Sequence, residues 1–127
     1  MNNSNMSRND LNFEIVQTKT ISAPSFKING ITVHSVYDPI SEAQKWAAQV
    51  MDRINSEGIP DKIIIFGFGA GYHIKALIDF LKKDDKEIKI EAIEPAKESF
   101  EFIKSNFDVS ELASKINIIA LDRIKNH

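Results

Sequence analysis

Three glycines at alternate positions, Gly67, Gly69 and Gly71, follow the apolar run Ile63–Phe66 and precede a segment with helical spacing. Glycine permits a sharp turn from a strand into a helix, and it leaves no side chain to block a ligand. The start of the following helix offers free N–H groups and a partial positive charge that suit phosphate or carboxylate groups. The pattern therefore predicts that this turn forms the floor of a ligand-binding site. The residues also leave open the alternative of a turn that only joins strand to helix.

The spacing of the glycines narrows the choice of ligand. The dinucleotide fingerprint is Gly-x-Gly-x-x-Gly/Ala, and this chain has Tyr72 where that fingerprint needs a small residue. This position argues against a standard NAD or FAD site. The observed Gly-x-Gly-x-Gly resembles the first motif of Rossmann-type methyltransferases that use S-adenosylmethionine. Those enzymes usually carry an acidic residue two positions before the first glycine, where this chain has Ile65.

Two carboxylates follow the next two predicted strands. Glu94 ends the second strand, where a carboxylate can accept hydrogen bonds from both ribose hydroxyls. Asp122 ends the third, where the resemblance to methyltransferases implies an adenine contact. The plain alternatives are a strand end before Pro95 for Glu94 and a solvated strand end for Asp122. The predicted nucleotide-binding set is Gly67, Gly69, Gly71, Tyr72, His73, Glu94 and Asp122.

A second motif, "HSVYDPISEA", lies earlier in the chain. Together with "IIIFGFGAGYHIKAL" and "IEAIEP", it resembles the motility-associated factor (Maf) glycosyltransferase family over roughly Phe26 to Asp122. The matching residues of this first motif are His34, Ser35, Tyr37, Asp38, Glu42 and Ala43. The resemblance implies a bacterial protein related to enzymes that transfer nonulosonic acid sugars from CMP-activated donors to Ser or Thr of flagellin.

The resemblance to the Maf family also has a limit. It falls on the N-terminal Rossmann-like region of the family, whereas catalysis there belongs to a central sialyltransferase-like domain. It therefore implies a non-catalytic module, and no catalytic residue is carried over to this chain.

Taken alone, most residues of the first motif have structural interpretations. Asp38 can cap a helix that Pro39 begins, and Glu42 in the first turn favours the helix dipole. Tyr37 is expected to be a partly buried aromatic residue with its hydroxyl at the surface. His34 ends a strand and His73 begins a helix, and each can titrate near neutral pH.

The elements that must position these residues follow an order typical of a Rossmann-like fold. "FEIVQTKTI" and the two runs around Asn29-Gly30 predict strands, with a hairpin at the Asn-Gly turn. "YDPISEAQKWAAQVMDRINSEG" predicts a helix that Gly58 and Pro60 end. The remainder predicts a three-stranded parallel β-α-β-α-β unit, because right-handed crossovers make consecutive strands parallel and adjacent. The uninterrupted apolar run Ile63–Phe66 predicts a strand that is covered on both faces.

The domain organisation follows from this order. We expect a disordered tail over 1–12, a β-hairpin plus helix over 13–60 and a Rossmann-like half over 61–127, all within one structural domain. Such a sheet normally continues, so we interpret the chain as a fragment of a longer protein. The open edge beside Ile63–Phe66 is an aggregation risk, so we expect the N-terminal strands or a second copy of the chain to cover it.

Composition restricts the function classes. Net charge is −2 with no concentrated basic patch, which argues against a nucleic-acid partner. The chain has no cysteine, so disulfides and thiolate sites are excluded, and we expect a cytoplasmic protein. Three histidines, one of them at the last position, give no metal-site pattern, and no apolar run reaches the ~20 residues of a membrane span.

Three hypotheses about function remain. The first is a Rossmann-like module of a Maf-type glycosyltransferase that binds a nucleotide or CMP-sugar and docks on a downstream transferase domain. The second is a methyltransferase-like domain that binds S-adenosylmethionine. The third is an interaction or scaffold module that binds no ligand and associates with a partner or with itself.

Overall fold

The chain begins with a small antiparallel sheet, described here in a computed structural model of residues 11–20, 22–34 and 36–121. Its strands are β1 (Phe13–Val16), β2 (Ser25–Ile28) and β3 (Ile31–Thr32), in the order β1-β2-β3. The hairpin prediction is confirmed: Asn29 and Gly30 have φ values of 50° and 81°, as a two-residue primed turn requires. Because β1 also pairs with β2, the element is a three-stranded sheet and not a hairpin alone.

Some predictions fall on residues outside these ranges. The predicted tail over 1–12 falls mainly on residues 1–10, and the motif residue Ser35 and the predicted adenine contact Asp122 also lie outside the described residues. The proposed division of the chain at residue 60 stays a prediction. In the part of the chain that the structure describes, no helix has the length and hydrophobicity that crossing a bilayer requires.

The first helix, α1 (Pro39–Glu57), begins and ends where the sequence indicates. The side chain of Asp38 accepts a hydrogen bond from the Ser41 N–H at 3.0 Å, and Pro39 takes the first helical position. Gly58, with φ 102°, follows the last helical residue. This cap fixes where α1 starts, and therefore how the segment between β3 and α1 approaches the glycine turn.

The second half of the chain is the predicted parallel unit. Its elements are β4 (Lys62–Phe66), α2 (Tyr72–Lys83), β5 (Lys89–Glu94), α3 (Lys97–Asn106), the short α4 (Ser110–Ser114) and β6 (Asn117–Ala120). The strands pair in parallel in the order β4-β5-β6. The glycine turn thus lies at the carboxyl end of β4, beside the carboxyl end of β5. Ligands of open α/β sheets bind at this edge.

The core lies on one face of the parallel sheet. Ile63 and Ile65 of β4 pack against buried residues of α1 and α2, such as Ala47 and Leu77. Ile64 and Phe66 alternate to the other face, where Phe66 is 80% exposed. The prediction of cover on both faces is therefore wrong for the described residues. Consecutive right-handed crossovers in one direction put α2 and α3 on the same side, and a continuous apolar run does not reveal which side is open.

The N-terminal strands do not cover the open edge of β4, and cover by a second copy of the chain stays a prediction. The strands β1, β2 and β3 form a separate sheet, and β4 is paired with β5 alone in the described residues. The N-terminal sheet instead packs over the carboxyl end of the parallel sheet through a second apolar cluster. There Phe26 and Phe68 are almost fully buried, and Phe13 stacks on Phe102 with ring centroids 4.7 Å apart.

Candidate functional site

The glycine turn between β4 and α2 has left-handed backbone at all three glycines. The φ values are 89° at Gly67, 57° at Gly69 and 87° at Gly71, a region in which other residues are strained. At Gly71 an added Cβ would lie 2.7 Å from Leu112 Cδ2, so side-chain packing also requires glycine there. At Gly67 an added Cβ would meet nothing within 4 Å.

The N–H groups of this turn are largely used within the chain. Gly67 N–H donates to Ile93 O at 2.7 Å, and Gly71 N–H donates to Phe68 O at 3.1 Å. Phe68 N–H donates to a carboxylate oxygen of Glu94 at 3.0 Å, and Ala70 N–H donates to a histidine ring. Four backbone donors that a phosphate could have used are therefore already satisfied.

The histidine that takes the Ala70 N–H is His34, from the segment that follows β3. Its Nε2 accepts that hydrogen bond at 2.9 Å. The ring lies so close to the turn that a Cβ on Gly69 would be 2.8 Å from the same nitrogen. His34 thus joins the first sequence motif to the glycine motif, 36 residues later.

The environment of His34 keeps its ring neutral. Only 6% of the residue is exposed, and burial, with the nearby His73 second, lowers the pKa of His34 to about 4. Because Nε2 is an acceptor, the proton of the neutral ring is on Nδ1. That nitrogen is buried and has no hydrogen-bond partner among the described residues.

Two further contacts fix the N-terminal sheet on the turn. The Ser25 hydroxyl accepts from the His34 N–H at 3.0 Å and lies 3.1 Å from the His34 carbonyl oxygen, to which it donates. The Tyr72 hydroxyl donates to the Pro24 carbonyl oxygen at 2.6 Å. Burial raises the pKa of Tyr72. Tyr72, in the predicted nucleotide-binding set, therefore anchors the sheet.

His73, on α2, forms one wall of the site. Its ring stacks on that of His34 with centroids 5.6 Å apart, and it meets the ring of Trp46 edge-on at 5.1 Å. Burial lowers the pKa of His73, and the charge of Glu42 on α1 acts against that shift. The start of α1 and the start of α2 are thus brought together on one side of the glycine turn.

Glu94 lies beneath the turn and is 5% exposed. Burial raises the pKa of its carboxyl group, while hydrogen bonds from the Phe68 and Ala96 backbone N–H groups act in the opposite direction. In this structure Glu94 holds the turn in place. Its role as a ribose ligand stays a prediction.

A cavity of about 700 Å³ opens beside the turn, between β4 and α1. Gly67 and Gly69 lie in its lining, together with His34, His73 and Trp46. Further apolar lining comes from Val33, Val50, Ile54, Ile63, Ile64, Ile65, Phe66 and Phe68. Arg53 and Glu57 line the cavity as well and bind each other at 2.8 Å.

Only some of the residues predicted from the sequence line the cavity. Gly67, Gly69, His34 and His73 line it, whereas Gly71, Tyr72 and Glu94 do not. Tyr37 is 65% exposed, not partly buried as expected, because its ring lies outside the clusters and under the Lys19 ammonium at 5.6 Å. Sequence reasoning missed Trp46 as a wall residue, because its spacing on α1 is that of a core position.

The described residues contain no cluster of three or more His, Cys, Asp or Glu side chains arranged to bind a metal ion. His34 and His73 are neighbours, but the Nε2 of His34 is already bonded to Ala70.

Comparison with known proteins gives information on the fold. No family model and no curated protein matches this chain. Among solved structures it is similar to MnmC2 from Aquifex aeolicus, with a TM-score of 0.53 and 16% sequence identity. The match covers 92% of this chain and 44% of that chain, so this chain spans less than half the length of that protein. The match shows a shared α/β fold, and the resemblance to the Maf family stays a prediction.

Proposed function

We propose that this chain is a methyltransferase-like Rossmann domain, or part of one, that binds an adenosyl nucleoside of the S-adenosylmethionine class. The ligand would occupy the cavity beside Gly67 and Gly69. The observation that carries the proposal is that the glycine turn lines a cavity of ligand size while four of its N–H groups bond within the chain.

The internal hydrogen bonds of the turn favour a ligand without phosphate. A glycine-rich turn that cradles phosphate does so with free backbone N–H groups at the start of a helix. Here Gly67, Phe68, Ala70 and Gly71 have partners within the chain. What the turn offers a ligand is a surface without side chains, which suits close packing against a nucleoside and not the charge of a diphosphate.

The charges around the cavity support the same class of ligand. Among the described lining residues, the permanently charged side chains are Arg53 and Glu57, which neutralise each other on α1. The two histidines are neutral near pH 7, since the pKa of each is lowered. A phosphorylated ligand would thus meet no unpaired cation in this lining, whereas a neutral or sulfonium ligand needs none.

The walls of the cavity fit the rest of such a ligand. About 700 Å³ lies within the range of roughly 300–1,000 Å³ that is typical of small-molecule sites. Trp46 and His73 offer aromatic surfaces on which a flat base can stack, and aromatic faces also attract cations such as a sulfonium. In this proposal His73 and the two glycines contact the ligand, and Glu94 supports the turn from below.

A nucleotide-binding module of a Maf-type glycosyltransferase is the second candidate. One observation favours it: His34 of the first motif and Ala70 and His73 of the second motif meet at one place, so the two motifs act together. Its expected ligand is CMP or a CMP-sugar. A scaffold module without a ligand would leave the cavity unused.

Titration calorimetry with matched variants tests the proposal. The ligands are S-adenosylhomocysteine, CMP and NAD. In Gly67→Ala the added methyl group would stand in open space at the cavity lining, with the φ of 89° retained. Gly30→Ala is the control, because Gly30 has a φ of 81°, equal space around its Cβ, and a position in the distant hairpin.

We expect saturable binding of S-adenosylhomocysteine by the wild type and by Gly30→Ala, weakened at least tenfold in Gly67→Ala. Binding of CMP alone would replace the proposal with the second candidate. Binding of none of the three ligands to the folded chain would support the scaffold hypothesis and reject a nucleoside site.

A further inference from the structure

The Ala70 N–H lies in the glycine turn, one residue before the N-cap Gly71 of α2 and therefore close to the positive end of that helix. Its partner in this structure is the imidazole of His34, which reaches the turn from outside the parallel unit. We propose that His34 is a specificity-determining residue of the site: its neutral ring occupies the anion position of the glycine turn and thereby excludes phosphate-bearing ligands. This deepens the proposed function, since it gives the reason why the turn accepts a nucleoside without phosphate.

The His34 ring blocks access of a phosphate to the Ala70 N–H by its position. Its Nε2 is 2.9 Å from the Ala70 nitrogen and would be 2.8 Å from a Cβ on Gly69. No ligand oxygen can reach the Ala70 N–H while the ring is there. His34 also lines the cavity, so removing the ring beyond its Cβ would connect the space it fills with the cavity.

The attachment of His34 makes the exclusion permanent at neutral pH. Its backbone is bonded on both sides to the Ser25 hydroxyl, which belongs to the N-terminal sheet. Ring movement is further limited by His73, stacked at 5.6 Å, and by Tyr72, edge-on at 5.0 Å. A backbone and a ring that are both held in this way cannot swing aside for an entering anion.

The titratable groups near the ring come from α1, α2 and the end of β5. They are His73 on α2, Glu42 on α1, which acts on His73, and Tyr72. Glu94 accepts the Phe68 N–H, two residues before Ala70, so that donor is also closed to an anion. A neutral His34 therefore supplies an acceptor for the Ala70 N–H without adding a charge to the turn.

Inorganic pyrophosphate tests the proposal without an adenosyl ligand. His34→Ala removes the ring, whereas His34→Gln keeps an oxygen that can accept the Ala70 N–H. By calorimetry at pH 7 we expect His34→Ala to bind pyrophosphate at least tenfold more tightly than either the wild type or His34→Gln. Equal affinity in the three proteins, or none in a folded His34→Ala, would overturn the proposal.

A measurement on the wild type decides the matter if His34→Ala does not fold. With the amide signals assigned by NMR, pyrophosphate at pH 7 should leave the Ala70 N–H shift unchanged. Sulfate should move it only as the pH falls towards 4, when the protonated ring can no longer accept. A saturable shift at pH 7, or no sulfate effect at any pH, would contradict the proposal. Because neither anion resembles a nucleoside, these results are independent of S-adenosylhomocysteine binding.

Discussion

Acidification should destabilise this fold through His34. The pKa of this histidine falls from 6.5 to about 4 on folding, because burial favours the neutral ring and His73 lies beside it. At pH values between these two limits, His34 is therefore protonated in the unfolded chain but neutral in the folded chain. The stability that the neutral ring confers is fully present above pH 6.5 and is lost progressively as the pH falls through this interval.

The magnitude follows from the two pKa values. Between pH 6.5 and pH 4 the free energy of unfolding falls by up to about 1.4 kcal/mol per pH unit for one differing proton. Integrated from pH 7 to pH 4, the loss from His34 alone is about 3 kcal/mol. A domain with a total stability of roughly 5–15 kcal/mol would lose a large share of it.

Urea unfolding followed by circular dichroism, at half-unit steps from pH 7 to pH 4, measures this effect. His34→Gln is the control, since its side chain does not titrate in this range but can accept the Ala70 N–H. The control also cancels two other groups: His73, whose lowered pKa acts in the same direction, and Glu94, whose raised pKa acts in the opposite one. From pH 7 to pH 4 the free energy of unfolding of the wild type should fall by about 3 kcal/mol more than that of His34→Gln. Equal falls in the two proteins would refute the burial argument.

Five further substitutions test individual contacts by the same unfolding measurement. Phe26→Ala should lower the free energy of unfolding by about 3–5 kcal/mol because Phe26 is 1% exposed. Phe66→Ser should change it by less than about 0.5 kcal/mol because Phe66 is 80% exposed. Similar losses of stability in the two variants would contradict an open face of the sheet at Phe66. Tyr72→Phe removes the 2.6 Å hydrogen bond to the Pro24 carbonyl and should cost about 1–3 kcal/mol, and no loss would mean that the sheet is held otherwise. Asp38→Ala removes the cap of α1 and should cost about 1 kcal/mol, measurable also as fraying of the first helical turn. Gly71→Ala combines left-handed strain with a contact of 2.7 Å to Leu112 and should cost more than about 2 kcal/mol, and a neutral result would show that the turn relaxes freely.

Local signals in the sequence were sufficient for most of the fold. Asn29-Gly30 predicts the hairpin because it tolerates positive φ, and Asp38-Pro39 predicts the start of α1 because it supplies a cap and a fixed φ. Local signals did not predict which face of the parallel sheet is covered by helices. Ile64 and Phe66 have the residue types of a strand buried on both faces, and which face is covered depends on where α2 and α3 cross.

The candidate site was predictable only in part, for the same reason. The glycines announce the turn because few other residues adopt their φ values. The contact between His34 and Ala70 joins residues 36 positions apart, and no local pattern encodes such a distance. Glu94 was correctly expected at the end of β5, but its burial beneath the turn depends on Phe68, whose side chain packs into the second apolar cluster.

The most direct test of a nucleoside site beside the glycine turn is an NMR titration of the isotope-labelled chain with S-adenosylhomocysteine. We expect saturable shifts at the backbone amides of Gly67, Gly69 and His73 and at the indole N–H of Trp46, with the hairpin amide of Gly30 unmoved. Shifts confined to other residues, or no shifts in the folded protein at saturating ligand, would contradict a nucleoside site beside this turn.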